Sequence, residues 1–467
     1  MASLDTIIIG AGWAGAVAAR HLAQSGYKVL VLEARERIGG RARTYTEGTH
    51  VPVDLGCSFI HGYKEGNPAK VIAKELGIAV DVAKPADNAI YGANGLLDAS
   101  AANDLRDRLG QTHAAARNTA LNSTSLSPSP TTPLSAAFFD PNSKLSTSST
   151  PSTAAAFART LEVPLNAVLE QVSLRWTGWE DNFAGSDGAP QGGFQSFVDR
   201  VFSAATNTGN TRIQLGETAI RIQEEQSGVN VSTDKGIYRA ATVLCTIPLG
   251  VLKRDAVKLF EPKLPVRRTE TIQGTHVGIL EKLVLTYSEA WWPNAGSVGS
   301  FTLLATKFLG GDPETVEDVL SSTTLVVASF AGPSLPHQHP TLLFYLSPTP
   351  ALGLAKFSLE EVTDAVHTFL VSRFQPAAQP AKPTSSVMTD WHKDPLALGS
   401  TTTPSIAGEG RGPLDFAELA KPLWGGRLGF AGEHTEMNHR GSIAGAIISG
   451  RREAERVTLL LTKLAEA

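Results

Sequence analysis

Three groups of residues in this sequence are spaced for chemistry. The first is the glycine series Gly10-x-Gly12-x-x-Gly15, which follows the apolar run Ile7-Ile8-Ile9. Gly10 permits a tight turn, Gly12 lets the backbone approach a pyrophosphate, and Gly15 lets a helix pack closely on a strand. Ala14 heads that helix, whose N-terminus offers unpaired N–H groups and a positive dipole end to the phosphates. Glu33 ends the next apolar run roughly 20 residues on, where an acid binds ribose hydroxyls. Such a fingerprint alone arises by chance, as a glycine turn with a surface glutamate. Here it sits between a strand pattern and a helix pattern, as dinucleotide binding requires. The second group follows directly: Ala34-Arg35-Glu36-Arg37-Ile38-Gly39-Gly40-Arg41-Ala42-Arg43. Glycines between arginines let the backbone approach anionic oxygens that the guanidinium groups neutralise. Alone this stretch reads as a charged surface turn; directly after Glu33 it favours FAD over NAD.

The third is Lys282, within the otherwise apolar stretch Gly278-Ile279-Leu280-Glu281-Lys282-Leu283-Val284-Leu285. A lysine inside such a strand costs free energy unless paired or wet. By strand period alone it could equally face solvent. If buried, its pKa falls, as is common for working lysines.

The elements that must position these groups are partly readable. Thr6–Ile9 reads as a buried parallel strand, Ala14–Ser25 as a helix stopped by Gly26, and Lys28–Glu33 as the second strand. Pro68–Leu76 reads as a helix with Asn67 as N-cap and Gly77 at its end. Thr211–Ser232 has hairpin character, and Ala241–Thr246 is another apolar strand. Asp312–Ser321 and Leu359–Arg373 look helical. A final helix from about Gly441 carries Ile443, Ile447, Ala454 and Val457 on one stripe. Residues 112–156 are rich in Ser, Thr, Ala and Pro, so Ser123–Pro133 and Ser146–Thr153 read as exposed or partly disordered insert.

At 467 residues the chain is long enough for two or three domains or one large two-lobed enzyme. Its net charge of −4 favours neither nucleic acid nor anionic membrane. Two cysteines, Cys57 and Cys245, are too few for a disulfide framework and point to a reducing compartment. No apolar run is long enough to span a bilayer, and no basic segment leads a long apolar stretch at the start. A cytoplasmic location is therefore expected. The histidines show no metal-ligand spacing, so no metal is expected, and no Gly-x-Ser-x-Gly elbow occurs.

Several further segments carry a resemblance. These are Asp54-Leu55-Gly56-Cys57-Ser58-Phe59-Ile60-His61-Gly62, Thr246-Ile247-Pro248-Leu249-Gly250, and Gly429-Phe430-Ala431-Gly432-Glu433-His434-Thr435. With the N-terminal motifs, and in this order, they resemble the flavin amine oxidase family, which includes monoamine, polyamine, spermine and L-amino acid oxidases and histone lysine demethylases. The N-terminal motifs resemble polyamine oxidases most.

The resemblance implies an α/β fold: a Rossmann-like FAD-binding domain (1–90, 192–260 and 385–467) and an α+β substrate-binding domain (91–191 and 261–384). It implies one noncovalent FAD, since neither cysteine matches a linkage position. Gly56, Cys57, Ser58 and Phe59 would lie along the cofactor, Gly432 and Glu433 at its ribityl–phosphate part, and Ser442 and Ile443 at the isoalloxazine. Ile220 matches a residue whose backbone meets the adenine. Lys282 would hold a water at flavin N5, and Trp391, in Trp391-His392-Lys393-Asp394-Pro395, would pack beside the ring. His61 would line the substrate tunnel, and Glu180 and Asp181 would pair with distal ammonium groups. The two aromatic cage positions hold Thr401 and Ser442, so a two-walled cage is absent.

The implied reaction is oxidation of a small-molecule amine, a polyamine first among them, by hydride transfer to FAD. Dioxygen is reduced to hydrogen peroxide, and the imine is hydrolysed to aldehyde and amine. An L-amino acid oxidase, with Arg440 as the nearest candidate to grip a carboxylate, is one alternative. Another flavin monoamine oxidase is a second, and a catalytically silent FAD-bound binding protein a third.

Overall fold

The computed structural model describes residues 4–49, 51–124, 127–148, 150–309, 311–333, 337–403 and 411–466. The first strand, Leu4–Ile9, pairs in parallel with Val29–Leu32 on one side and Ile237–Cys245 on the other. Ile7 and Ile8 are fully buried, which is why this run is apolar throughout rather than alternating. Thr211–Gln214 extends the sheet beyond Val29–Leu32, and Leu428–Phe430 adds to Ile237–Cys245 from the far end of the chain. Ala219–Glu225 and Gly228–Thr233 form an antiparallel meander into Ile237–Cys245. The expected hairpin is therefore confined to these two strands; Thr211–Gln214 belongs to the parallel part of the sheet.

Between the first two strands runs the helix Trp13–Gln24, packed against the C-terminal helix Ile443–Glu466 and the helix Gly193–Thr206. A Cβ on Gly15 would stand 2.1 Å from the Gly10 carbonyl oxygen, and one on Gly450 would stand 2.5 Å from that of Ala14. Both glycines are thus required for the close approach of these backbones. The helix Pro68–Leu76 is capped by the Asn67 side chain, which accepts from the Ala69 N–H, and it ends at Gly77 in the left-handed region.

A second sheet of seven strands runs in the order Ser385–Met388, Glu281–Thr286, Thr341–Leu346, Leu325–Ser329, Val298–Leu303, Asp87–Gly92, Gly95–Leu96. The boundaries expected at 90/91 and 384/385 thus fall within and beside strands of this sheet. The helices Val316–Ser322 and Leu359–Phe374 bury their apolar faces in one core with it.

The insert is more ordered than its composition suggests. The helix Ala99–Leu121 runs into it, and short helices follow at Ser135–Phe138 and Pro151–Ala158. Leu134, Phe138, Leu145 and Phe157 join a core that includes Leu105, Leu169 and Leu304. These apolar anchors lie between and beyond the two segments read as exposed, Ser123–Pro133 and Ser146–Thr153, whose described residues are exposed or half-buried apart from Ser148. Residues 125, 126 and 149 of the two segments read as loop lie outside the described residues.

Candidate active site

A cavity of about 990 Å³ runs between the two sheets. One end is built by the turn after the first strand. Gly10 has φ +110°, and a Cβ there would meet Thr246 Oγ1 at 2.4 Å. Gly12 faces open space, its nearest neighbour in the Cβ direction being the Gly39 carbonyl oxygen at 4.0 Å. The helix begins at Gly12 with no side-chain cap, leaving its first N–H groups to the cavity. Glu33 at the tip of the second strand accepts from the Ala11 and Arg35 N–H groups, both at 2.8 Å. A glycine cradle, an uncapped helix start and an oriented carboxylate form the donor and acceptor set a dinucleotide needs, so the residues fit FAD.

Gly10, Gly12, Ala14, Glu33, Ala34 and Arg35 all line this end, and Gly40 and Arg41 continue it. Gly15 does not line the cavity; it serves the helix–strand packing. Ile220 does not line it either and is 55% exposed, whereas Thr218 and Ala219 do line it. The ladder shifts register between Ala219 and Arg221, so Ile220 is the residue bulged outward.

Glu433 is buried where the two ends of the chain meet. It accepts from Arg41 Nη1 at 3.0 Å, Thr402 Oγ1 at 2.7 Å and the Gly441 N–H at 3.0 Å. Burial alone would raise its pKa, but the Arg41 charge and the hydrogen bonds from Thr402 and Arg41 outweigh burial and hold the carboxyl below its usual range. Its neighbour His434 is pushed down to about 4 by burial and stays neutral. Gly432, Ser442 and Ile443 also line the cavity. Ser442 Oγ accepts from the Gly445 N–H at 3.0 Å, capping the final helix where it points into the cavity.

Lys282, on the strand Glu281–Thr286, does not face solvent. It is 3% exposed, and its Nζ donates to the carbonyls of Asp54 at 2.7 Å and Gly56 at 2.5 Å, and to Ser58 Oγ. Three acceptors suit the three protons of an ammonium, but burial dominates and lowers its pKa to about 8. Asp54, held by Thr44 and the Phe194 N–H, is raised by burial to about 6. Gly56, Cys57, Ser58 and Phe59 line the cavity beside Lys282. Burial pushes both thiols, Cys57 and Cys245, up to about 12, so neither is nucleophilic at neutral pH.

Trp391 also lines the cavity, with its Nε1 donating to the Leu55 carbonyl at 3.2 Å. Its loop is fixed by Glu281, a residue the sequence reading passed over. This buried carboxylate accepts from Thr389 Oγ1 at 2.5 Å, the Trp391 N–H at 2.9 Å, and the His392 N–H and Nδ1, both at 2.9 Å. Its signal in the sequence was an acid in an apolar strand, overshadowed by the adjacent lysine.

The other half of the cavity is lined by His61, Glu180, Asp181 and Thr401 among others. The His61 side chain is 73% exposed and meets Asp187 at 3.0 Å, so it sits at the mouth. Glu180 is paired with Arg440, and Asp181 is exposed. Where aromatic cage walls were expected to be absent, Thr401 and Ser442 stand in the lining. Nearby aromatic surface comes instead from Phe183 stacked on His439, with centroids 4.5 Å apart, and from Tyr345, whose ring lies 5.6 Å from Lys282 Nζ. Tyr345 sits opposite Lys282 in the strand register, which only the pairing of distant strands reveals. Among the described residues no cluster of three His, Cys, Asp or Glu side chains is placed to hold a metal, and no helix is long and apolar enough to cross a membrane.

Residues 13–458 match the model of the flavin containing amine oxidoreductase family, and the chain belongs to it. It is an FAD-dependent amine oxidoreductase. It is 27% identical to polyamine oxidase 3 of Oryza sativa subsp. japonica, over 97% of this chain and 88% of that one. It is 29% identical to polyamine oxidase 2 of Arabidopsis thaliana over 97% of this chain and 88% of that one. A lysine-specific histone demethylase 1 homolog of Oryza sativa subsp. indica is 30% identical over 97% of this chain but only 54% of its own length. Cyclohexylamine oxidase from Brevibacterium oxydans superposes with a TM-score of 0.76 at 22% identity, covering 98% of this chain and 100% of that one. That likeness shows the same fold.

Proposed function

We propose that this enzyme oxidises a C–N bond of a polyamine, with dioxygen as the final acceptor and FAD held noncovalently. The observation that carries this reading is the buried Lys282 beside Trp391 in one cavity with the glycine cradle and Glu433. Its likeness to two plant polyamine oxidases over nearly the whole chain supports the substrate class. FAD, when bound, supplies the hydride acceptor.

The chain's own residues bind and orient. The strand Leu4–Ile9 and the chain's last helix together form the cofactor-binding part, and the second sheet with the segment around 91–191 the substrate part. The uncapped helix start and Arg41 hold the phosphates, and Glu33 takes the ribose. The N-terminus of the final helix, capped by Ser442, stabilises negative charge beside it. Lys282 would hold a water only by releasing one of its three acceptors, of which Ser58 Oγ is the one side chain, and Trp391 forms a flat wall that positions the amine. The amine must bind neutral to release a hydride from its α-carbon, so the rate rises with pH. The imine is then hydrolysed to aldehyde and a shorter amine. Arg440 is committed to Glu180 and Thr402, which argues against the amino acid reading, since a substrate carboxylate would have to displace Glu180.

The test is anaerobic mixing of the FAD-loaded protein with spermine, spermidine, N-acetylspermine, benzylamine and L-amino acids while flavin absorbance is followed. Rapid bleaching by a polyamine, faster as pH rises, is expected. Bleaching by amino acids alone, or by nothing, overturns the reading.

A further inference from the structure

Every carboxylate on the substrate side of the cavity matters to a cationic substrate, and Glu180 is the most enclosed of those not bound to the cofactor end. In the structure it is not available. Arg440 Nη2 meets Glu180 Oε1, while Arg440 Nη1 donates to the Thr402 carbonyl. The Arg440 side chain is only 8% exposed and that of Glu180 24%. Arg440 Nε is buried and has no hydrogen-bond partner among the described residues. Both residues line the cavity.

The pair is held from both sides. The Asp181 N–H donates to the Asn438 carbonyl at 3.0 Å, and Phe183 stacks on His439 with planes 14° apart. The segment 180–183 is therefore laid along 438–440 at three successive points. Arg440 in turn precedes Gly441, whose N–H is fixed by Glu433. Arg440 is tied down at both Glu180 and the Thr402 carbonyl, and the backbone that carries Glu180 is held beside it. Asp181, beside Glu180 in the lining, is exposed, so its charge is screened by water, and Asp187 is engaged by His61 and the Gly62 N–H.

A joined carboxylate and guanidinium present no net charge to a substrate passing beside them. An ammonium there gains from Glu180 about what it loses to Arg440. We propose that Arg440 cancels Glu180 and is the residue that sets charge selectivity along this wall: substrates are accepted for a neutral chain where they pass the pair, and a second ammonium there earns no preference. This rests on the amine-oxidising reading and names the device that tunes it. Removing Arg440 converts the wall into an ammonium subsite, and removing the charge of Glu180 converts it into a carboxylate subsite.

Three six-carbon amines test this: hexylamine, 1,6-diaminohexane and 6-aminohexanoate, whose far ends are a methyl, an ammonium and a carboxylate. kcat/KM is measured with the FAD-loaded protein, and Kd by calorimetry. In the native protein the diaminohexane-to-hexylamine ratio is expected to stay within about threefold of unity. Arg440→Met raises that ratio at least tenfold, about 1.4 kcal/mol. Glu180→Gln raises the 6-aminohexanoate-to-hexylamine ratio by as much, and the double variant returns both ratios to native values. A native preference for the diamine above tenfold, or single variants that move all three compounds equally, overturns the proposal. Should Arg440→Met fail to fold, Glu180→Gln and the native ratio decide it. Shifts in Kd without turnover of any amine would sink the oxidase reading and leave the pairing standing; turnover without shifts does the reverse.

Discussion

Lys282→Met separates the electrostatics of the buried lysine from its packing. In the folded protein burial holds the Lys282 ammonium at about 8, against 10.5 for a free side chain, with Asp54 and Cys57 pulling weakly the other way. A depression of that size is worth about 3 kcal/mol. Between pH 8 and 10.5 the unfolded chain keeps a proton that the folded chain has released. Stability from this group therefore rises with pH across the window, is complete above the unfolded value, and is lost as pH falls through the folded value. Methionine cannot titrate, so the rise vanishes in the variant. At pH 7 the substitution also leaves the carbonyls of Asp54 and Gly56 without their donor. That costs on the order of 1–3 kcal/mol each, largely offset by relief of the buried charge. The variant should thus be within a few kcal/mol of the native protein at pH 7 and lose about 3 kcal/mol more by pH 10.5. Urea unfolding of both proteins at half-unit steps from pH 7 to 10.5 reads this out. A stability difference that stays flat to within about 1 kcal/mol across the window refutes the assignment of a depressed lysine.

Two further outcomes are expected. Glu281→Ala strips the acceptor from the Thr389–His392 loop and should cost on the order of 3 kcal/mol, shift Trp391 emission and slow flavin reduction, while Glu281→Gln, which keeps one acceptor, recovers part of all three; equal effects of the two variants would show that shape rather than hydrogen bonding holds the loop. Phe138→Ala, at a fully buried site in the insert, should cost about 3–5 kcal/mol and open residues 112–156 to protease while FAD is retained; unchanged protease resistance would mean that this core does not hold the insert.

The parts of the fold written in local backbone chemistry were readable in the sequence. Gly10, at φ +110°, marks the turn and Gly15 the close packing of the helix, so strand, turn and helix lie within a residue or two of expectation. Asn67, Pro68 and Gly77 bound their helix as read. Lys282 was conspicuous because a charge in an apolar strand demands an explanation. What the sequence hid depends on distance or on register. Glu180 and Arg440 read separately as a substrate anchor and a carboxylate grip, and only folding shows that each occupies the other. Ile220 stands outside the cavity lining at a β-bulge, which leaves no mark in composition. The core between the two exposed segments went unread because a Ser- and Thr-rich average conceals Leu134, Phe138 and Leu145, whose partners Leu105 and Leu304 lie outside the insert.

The order in which the cleft is assembled bears on how the living cell makes this protein. The cradle is made some four hundred residues before the strand Leu428–Phe430 that joins its sheet, Glu433 and the helix Ile443–Glu466 that packs on Trp13–Gln24. A nascent chain therefore holds half a cleft until residues 428–466 have been made, with the apolar stripe of Trp13–Gln24 awaiting its cover. A cofactor site built from both of these regions is complete only once the later one has folded, so a chain truncated before Leu428 would keep the cradle and be colourless.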